Sequence, residues 1–129
     1  MIVIDANVAI ATLNPNDTFH RLAIERCAHA SELSILNLTR AEALIHPTRA
    51  GVAEQAAAAL DALGITSYPI ADDIADRARL LRATHGNRHF PLVDAIVVAF
   101  GLINQATIVT TDGKWPTIAD ADIEVLSAF

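Results

Sequence analysis

Short apolar runs that alternate with longer helix-like segments constrain the fold of this chain more than any other feature. The runs lie at residues 1–4, 33–36, 65–70, 106–110 and 123–126, and each is long enough for one strand. The segments between them have the apolar spacing and the terminal residues of helices. Strands alternating with helices are typical of a parallel sheet covered by helices. The pattern therefore predicts an α/β domain with a central, mainly parallel β-sheet flanked by helices.

Length and composition limit the class of protein. The 129 residues fit a single domain spanning residues 1–129, and a hydrophobic content of 53% supplies enough apolar surface for a core. No apolar run approaches the roughly 20 residues that a membrane helix needs. The one cysteine, Cys27, excludes a disulfide framework and a cysteine-rich zinc site. Because the first residues also lack the basic segment of a secretory signal, we expect a cytoplasmic protein.

Four acidic residues fall where strands end or the next helix begins. Asp5 follows the first run directly, and Asp112 follows the run that ends at residue 110. Glu42 is expected in the first turn of the helix after the second run, and Asp94 in the first turn of a helix that starts near Pro91. Functional crevices of open α/β sheets lie beyond the carboxyl ends of the strands. We therefore expect these four carboxylates to converge.

Each acid also has an ordinary structural explanation. Thr39 and Glu42 match a capping box, in a helix that Pro47 is expected to end. Asp94 would complement a helix dipole, and Asp112 would belong to a turn with the glycine that follows it. On this interpretation the chain is a catalytically inert interaction module whose acids cap helices and turns.

Converging carboxylates repel one another, and a hard divalent cation relieves that repulsion. Mg²⁺ prefers oxygen ligands, keeps several waters and is commonly bound by one or two carboxylates together with substrate phosphate. Such an ion activates water and stabilises the charge that develops on a phosphodiester. The four acids therefore indicate metal-dependent phosphodiester hydrolysis.

These residues also carry a family resemblance. The matching stretches are Met1-Ile-Val-Ile-Asp5-Ala-Asn7-Val, Arg40-Ala-Glu42, Pro91-Leu-Val-Asp94-Ala-Ile and Val109-Thr-Thr111-Asp112. Together they resemble a PIN-domain ribonuclease, and the size of the chain and the order of its motifs are similar to the VapC toxins of bacterial type II toxin–antitoxin pairs. The resemblance covers essentially the whole chain.

The resemblance implies an endoribonuclease that depends on Mg²⁺ or Mn²⁺, is inhibited by a small cognate VapB-like antitoxin and forms a homodimer. By position, Asp5, Glu42 and Asp94 match the three central acids of the family, which the resemblance implies are catalytic and hold the metal ion. Asp112 matches the fourth acid, which varies most and binds metal either directly or through water. Asn7 and Thr111 match the small polar residue after the first acid and the hydroxyl residue beside the fourth. A housekeeping RNA-processing PIN nuclease is the alternative enzyme.

The charge balance limits which part of the surface can bind RNA. Nine basic residues stand against 15 acidic ones, for a net charge of −6, so no general basic surface is expected. Four arginines are clustered between positions 77 and 88, and among them Arg88 is our candidate contact to RNA phosphate. The alternative for this cluster is a solvated helix face paired with nearby aspartates. Trp115 likewise has two interpretations, as a base-stacking residue or as a packing anchor.

An inhibitor of such a site has predictable chemistry. A crevice lined by four carboxylates would accept a cationic side chain, and arginine pairs carboxylates best. The resemblance implies a short antitoxin whose C-terminal segment folds on binding. We expect its aliphatic residues to dock on apolar surface of the helices at 39–46 and 52–63.

Overall fold

The protein folds around a five-stranded parallel sheet. A computed structural model describes residues 1–128 and orders the strands β3-β2-β1-β4-β5, with every neighbouring pair parallel. The strands are β1 (Ile2–Ile4), β2 (Leu33–Leu36), β3 (Ile65–Tyr68), β4 (Thr107–Thr110) and β5 (Ile123–Val125). The helices are α1 (Ala6–Leu13), α2 (His20–Ala28), α3 (Asn37–Arg49), α4 (Ala53–Ala62), α5 (Asp72–His85) and α6 (Leu92–Asn104). All five apolar runs form strands, and the predicted fold class is confirmed.

Helices cover both faces of the sheet, because side chains alternate along each strand. Val3 and Ile108 point into a core shared with α5 and α6. Ile4 and Val109, their neighbours along the strands, point into a second core shared with helices α1 to α4. The result is a three-layer domain with two separate cores. Within residues 1–128 no helix is both long and apolar enough to cross a membrane.

The order of the strands places a crevice between β1 and β4. The chain adds β2 and β3 on one side of β1 and then returns to add β4 on the other side. Such a reversal leaves an opening at the carboxyl ends of the two strands where it occurs. Ile4 pairs with Val109, and the Asp5 N–H donates to the Val109 carbonyl at 3.2 Å. The residues that follow β1 and β4 therefore lie side by side.

Helix α3 differs from its predicted form at both ends. It begins at Asn37 rather than beyond Thr39, so Thr39 lies inside the helix with a buried side chain. The capping box is therefore wrong, and Glu42 lies in the second turn rather than the first. Pro47 does not end the helix, which continues to Arg49. Because Pro47 lies in the last turn, its missing N–H removes one intrahelical hydrogen bond near an end that frays in any case.

Candidate active site

Asp5 is a buried carboxylate held by two hydrogen bonds. It is the N-cap of α1, and its Oδ1 accepts the Val8 N–H at 2.9 Å. Its Oδ2 accepts the Thr110 hydroxyl at 2.5 Å, and the residue is only 3% exposed. Burial raises the pKa of Asp5 from 3.8 to about 6, although the bonds from Thr110 and Val8 lower it. The negative charge of Asp112 adds to the rise.

Thr110 connects the first acid to the fourth. Its side chain is completely buried at the end of β4, where the hydroxyl donates to Asp5. The same oxygen accepts the backbone N–H of Asp112 at 3.0 Å. The carboxylate of Asp112 in turn accepts the Lys114 N–H at 2.8 Å, which closes a tight turn. One hydroxyl therefore sets the relative positions of Asp5 and Asp112.

Asp94 lies in the first turn of α6, as predicted, and is half-buried. Its Oδ2 accepts the indole N–H of Trp115 at 3.1 Å. Burial raises the pKa of Asp94 from 3.8 to about 6, the bond from Trp115 lowers it, and three nearby negative charges raise it further. Those charges belong to Asp5, Asp112 and Glu42. The other three predicted acids therefore all act electrostatically on Asp94.

Trp115 is anchored beside this carboxylate. Its ring meets the fully buried ring of Phe90 edge to face, with the centroids 5.9 Å apart. Phe90 lies in the loop between α5 and α6, two residues before α6 begins. This contact favours the packing interpretation of Trp115, and the hydrogen bond to Asp94 adds a function that a packing anchor alone would not have.

The donor set fits a hydrated divalent cation better than a closed metal cage. No group of three or more His, Cys, Asp or Glu side chains within residues 1–128 is arranged to hold an ion as it stands. Mg²⁺ does not require such a group, because it commonly binds one or two carboxylates and retains water. Asp5 and Asp94 supply hard oxygen ligands whose pKa values are raised first by burial and then by nearby negative charge. A cation between them would offset that charge.

The two supporting residues lie together in a polar hollow next to the acids. Asn7 and Thr111 line it with the loop between α1 and α2, including Asn16 and Phe19, and its volume is about 430 Å³. The sequence predicts that Thr111 orients Asp112 or binds water. Within the described part of the chain, the hydroxyl that contacts Asp112 is that of Thr110.

An apolar groove also borders α1 and shares Ile10 with the polar hollow. It lies between α1, α3 and α4, has a volume of about 560 Å³ and is lined mostly by apolar side chains. Ile10, Ala43, Val52 and Ala56 contribute to its walls, and Glu42 lies at its margin. Glu42 is exposed there, so one side chain borders both the groove and the acidic cluster.

The arginines of α5 and the following loop are not neutralised by neighbouring acids. No carboxylate within residues 1–128 lies within 4 Å of Arg77, Arg79, Arg82 or Arg88. Pairing with Asp72, Asp73 and Asp76 is therefore not observed. Arg88 is exposed, and its Nε donates to the ring of His89 at 3.2 Å. These guanidinium groups remain available to external anions.

Comparison with protein families and solved structures agrees with this architecture. The sequence model of the PIN domain matches residues 2–121. A search of curated protein sequences gives no significant match. A toxin–antitoxin complex from Klebsiella pneumoniae superposes with a TM-score of 0.78 at 22% identity, covering 100% of this chain and 98% of that one.

Two further structures are similar. VapC20 of Mycobacterium tuberculosis, described as a toxin that cleaves the sarcin–ricin loop, has a TM-score of 0.71 at 20% identity, covering 84% of this chain and 87% of that one. VapBC2 of Rickettsia felis, bound to a DNA fragment from its promoter, has a TM-score of 0.75 at 18% identity, covering 97% and 98%. At such identities the likeness concerns the fold.

Proposed function

This chain belongs to the PIN domain family, and from that premise we propose that it is a Mg²⁺-dependent endoribonuclease, the toxin of a VapBC-like toxin–antitoxin system. The observation that carries the proposal is the pair Asp5 and Asp94, two acids at the switch point of a parallel sheet whose pKa values are both raised to about 6. Structural similarity to known toxins supports the biological role.

The acidic residues and Thr110 would each have a separate role in the reaction. Asp5 and Asp94 would hold the cation, Mg²⁺ or Mn²⁺, and Glu42 and Asp112 would complete the negative pocket. When bound, the cation supplies activation of water and stabilisation of negative charge on the phosphate. The Thr110 hydroxyl orients Asp5 and lowers its pKa, which favours the ionised form of this buried carboxylate.

RNA would be held by a local cluster rather than by the whole surface. The net charge of −6 repels phosphate at long range, whereas the free guanidinium groups of α5 and its following loop attract it locally. We expect Arg88→Ala to weaken RNA binding similarly for all sequences and to lower the slope of log affinity against log salt by about one. Arg21→Ala is the matched control, because Arg21 is exposed but paired with Glu25 at 3.1 Å.

The groove between α1, α3 and α4 would receive the antitoxin. Its apolar walls suit an amphipathic segment, and Glu42 at its margin would pair a basic residue of that segment. Binding would place the basic residue against the acidic cluster and so compete with the cation. We also expect the toxin to form a homodimer, which light scattering would measure.

The first experiment tests the reaction. Purified protein is incubated with total RNA with and without Mg²⁺, and the new ends are mapped. We expect Mg²⁺-dependent cleavage that Asp94→Asn abolishes. Asp120→Asn is the matched control, because Asp120 is exposed and has a φ of 66°, a conformation that asparagine adopts readily. Full activity of Asp94→Asn would contradict the assignment of this site.

The second experiment distinguishes a toxin from a housekeeping nuclease. The product of the neighbouring small gene is tested for binding, for inhibition of cleavage and for competition with Mn²⁺. Ala56→Glu, in the wall of the groove, should abolish inhibition while leaving cleavage intact. If no neighbouring product binds, the housekeeping alternative is favoured. If a bound product inhibits without changing metal affinity, inhibition is steric.

A further inference from the structure

Trp115 is the only tryptophan of the chain, and its indole is built into the acidic site. Its Nε1–H donates to Asp94 Oδ2 at 3.1 Å, and its ring is held edge to face by Phe90. We propose that Trp115 is a positioning residue, which fixes the orientation of the Asp94 carboxylate for binding a divalent cation. This inference rests on the proposed function and adds a residue to its site.

The Asp94 carboxylate needs such a partner because its terminal side-chain torsion does not fix the orientation of its oxygens. The terminal torsion of aspartate is broad and roughly two-fold, so the helix can place Asp94 without orienting its oxygens. The indole occupies Oδ2, whereas Oδ1 accepts no hydrogen bond from any residue in the range 1–128. One oxygen is therefore held and the other is left for a ligand. Partners of this kind commonly contribute about 10- to 100-fold to metal affinity or activity.

The indole is itself well placed to act as a fixed support. Phe90 is completely buried, and the turn closed by the Lys114 N–H and the Asp112 carboxylate leads directly into Trp115. The segment 112–115 thus carries the fourth acid and also holds the acid of α6. A ring of the same shape without the N–H would keep the packing and lose only the support of Asp94.

Because Trp115 is the sole tryptophan, biosynthetic replacement changes this position alone. Benzothienylalanine has a sulfur in place of the N–H and removes the donor at nearly constant shape, and 5-fluorotryptophan keeps the donor. We expect Mn²⁺ affinity, measured by calorimetry, to fall about tenfold or more with benzothienylalanine and to stay within about twofold with 5-fluorotryptophan. Equal affinities in the two proteins would overturn the proposal. Trp115→Phe should resemble benzothienylalanine, and melting temperatures show whether each protein is folded.

Fluorescence gives a second measurement that does not depend on activity. Saturation with Mg²⁺ should change the emission of Trp115 in the wild type and leave it unchanged in Asp94→Asn. Calorimetric saturation without any change in emission would also overturn the positioning role. Failure of the wild type to bind Mn²⁺ would overturn the proposed function and this role together. If the wild type binds Mn²⁺ and removal of the indole N–H does not change the affinity, only the positioning role is overturned.

Discussion

At the scale of single residues, the site stores negative charge that the fold does not neutralise. Asp5 and Asp94 both have pKa values raised to about 6, and burial is the largest cause for each. Neither forms an ion pair within residues 1–128. Hydrogen bonds from Thr110 and Trp115 offset part of the cost of ionisation. Such a site is stabilised by protons at low pH and, on our proposal, by a cation at neutral pH.

Asp94→Asn tests this stored charge through the pH dependence of stability. The folded state binds the Asp94 proton more tightly than the unfolded state, so this residue lowers wild-type stability as the pH rises from about 4 to about 6. Above that range its effect is constant. With a chelator present to remove metal, the variant and the wild type should have the same free energy of unfolding near pH 4. At pH 7.5 the variant should be more stable by about 1 kcal/mol, a value reduced to allow for the partial exposure of Asp94. Urea denaturation at both pH values measures the difference, and a gain of the same size at both would refute the raised pKa.

Thr110→Val removes the hydroxyl that connects Asp5 and Asp112 while keeping the side-chain shape. The buried Asp5 carboxylate loses a donor and the Asp112 N–H loses its acceptor, so we expect a loss of about 1–3 kcal/mol at pH 7. Thr110→Ser, which keeps the hydroxyl, should restore most of that stability. Denaturant titration compares the three proteins, and equal losses in valine and serine would assign the effect to packing instead.

At the scale of elements, the position of Asp94 depends on how closely α6 packs against β4. Gly101 makes this possible, because a Cβ at this position would lie 2.4 Å from Cγ1 and Cδ1 of the fully buried Ile108. All the residues of α6 from Ala95 to Gly101 are buried. The close contact therefore fixes the helix whose first turn carries the acid.

Gly101→Ala should destabilise the protein by up to about 2 kcal/mol. Overpacking a core costs about 1–3 kcal/mol, and the better helix propensity of alanine returns up to about 1 kcal/mol. In an Ile108→Ala background the two closest obstructing atoms are absent and only the Ala106 carbonyl oxygen remains, at 3.3 Å, so the same change should be near neutral or stabilising. A double-mutant cycle by urea denaturation measures this coupling. Strictly additive effects would show that the contact between α6 and β4 is not what requires glycine.

At the scale of the whole molecule, the three-layer fold separates three surfaces. The acidic site lies at the carboxyl ends of β1 and β4, and the apolar groove lies beside it between α1, α3 and α4. The four clustered arginines without a carboxylate partner within residues 1–128 lie on α5 and the loop that follows it, in the layer on the other face of the sheet. On our proposal, these three surfaces of one small domain would bind a cation, an apolar peptide and a phosphate backbone.

Cation binding should be measurable as stability of the whole molecule. An ion that binds only the folded state stabilises it by about 2.7 kcal/mol at a concentration one hundred times its Kd. For a chain of this size the melting temperature should rise by about 10 °C. Added Mn²⁺ should raise the melting temperature of the wild type more than that of Asp94→Asn, as scanning fluorimetry would show. Identical shifts would place the ion elsewhere.

The sequence alone determined the fold class and the approximate location of the site. Apolar periodicity is a local property, so the strands, most helices and the positions of Asp5, Asp94 and Asp112 at element ends could be predicted from it. Apolar periodicity did not predict the bounds of α3, because the packed helix includes Thr39 and continues past Pro47.

Only the tertiary structure decided which side chains support the acids. Thr110 and Asp5 are hydrogen-bonded although they lie 105 positions apart in the chain, and so are Trp115 and Asp94, which lie 21 positions apart. The first pairing follows from the register of β1 against β4, and the second from the packing of the segment after β4 against α6 and Phe90. The groove likewise exists only between three packed helices. Register and packing join segments that are distant in the chain, whereas the periodicity of a sequence reports only on neighbours.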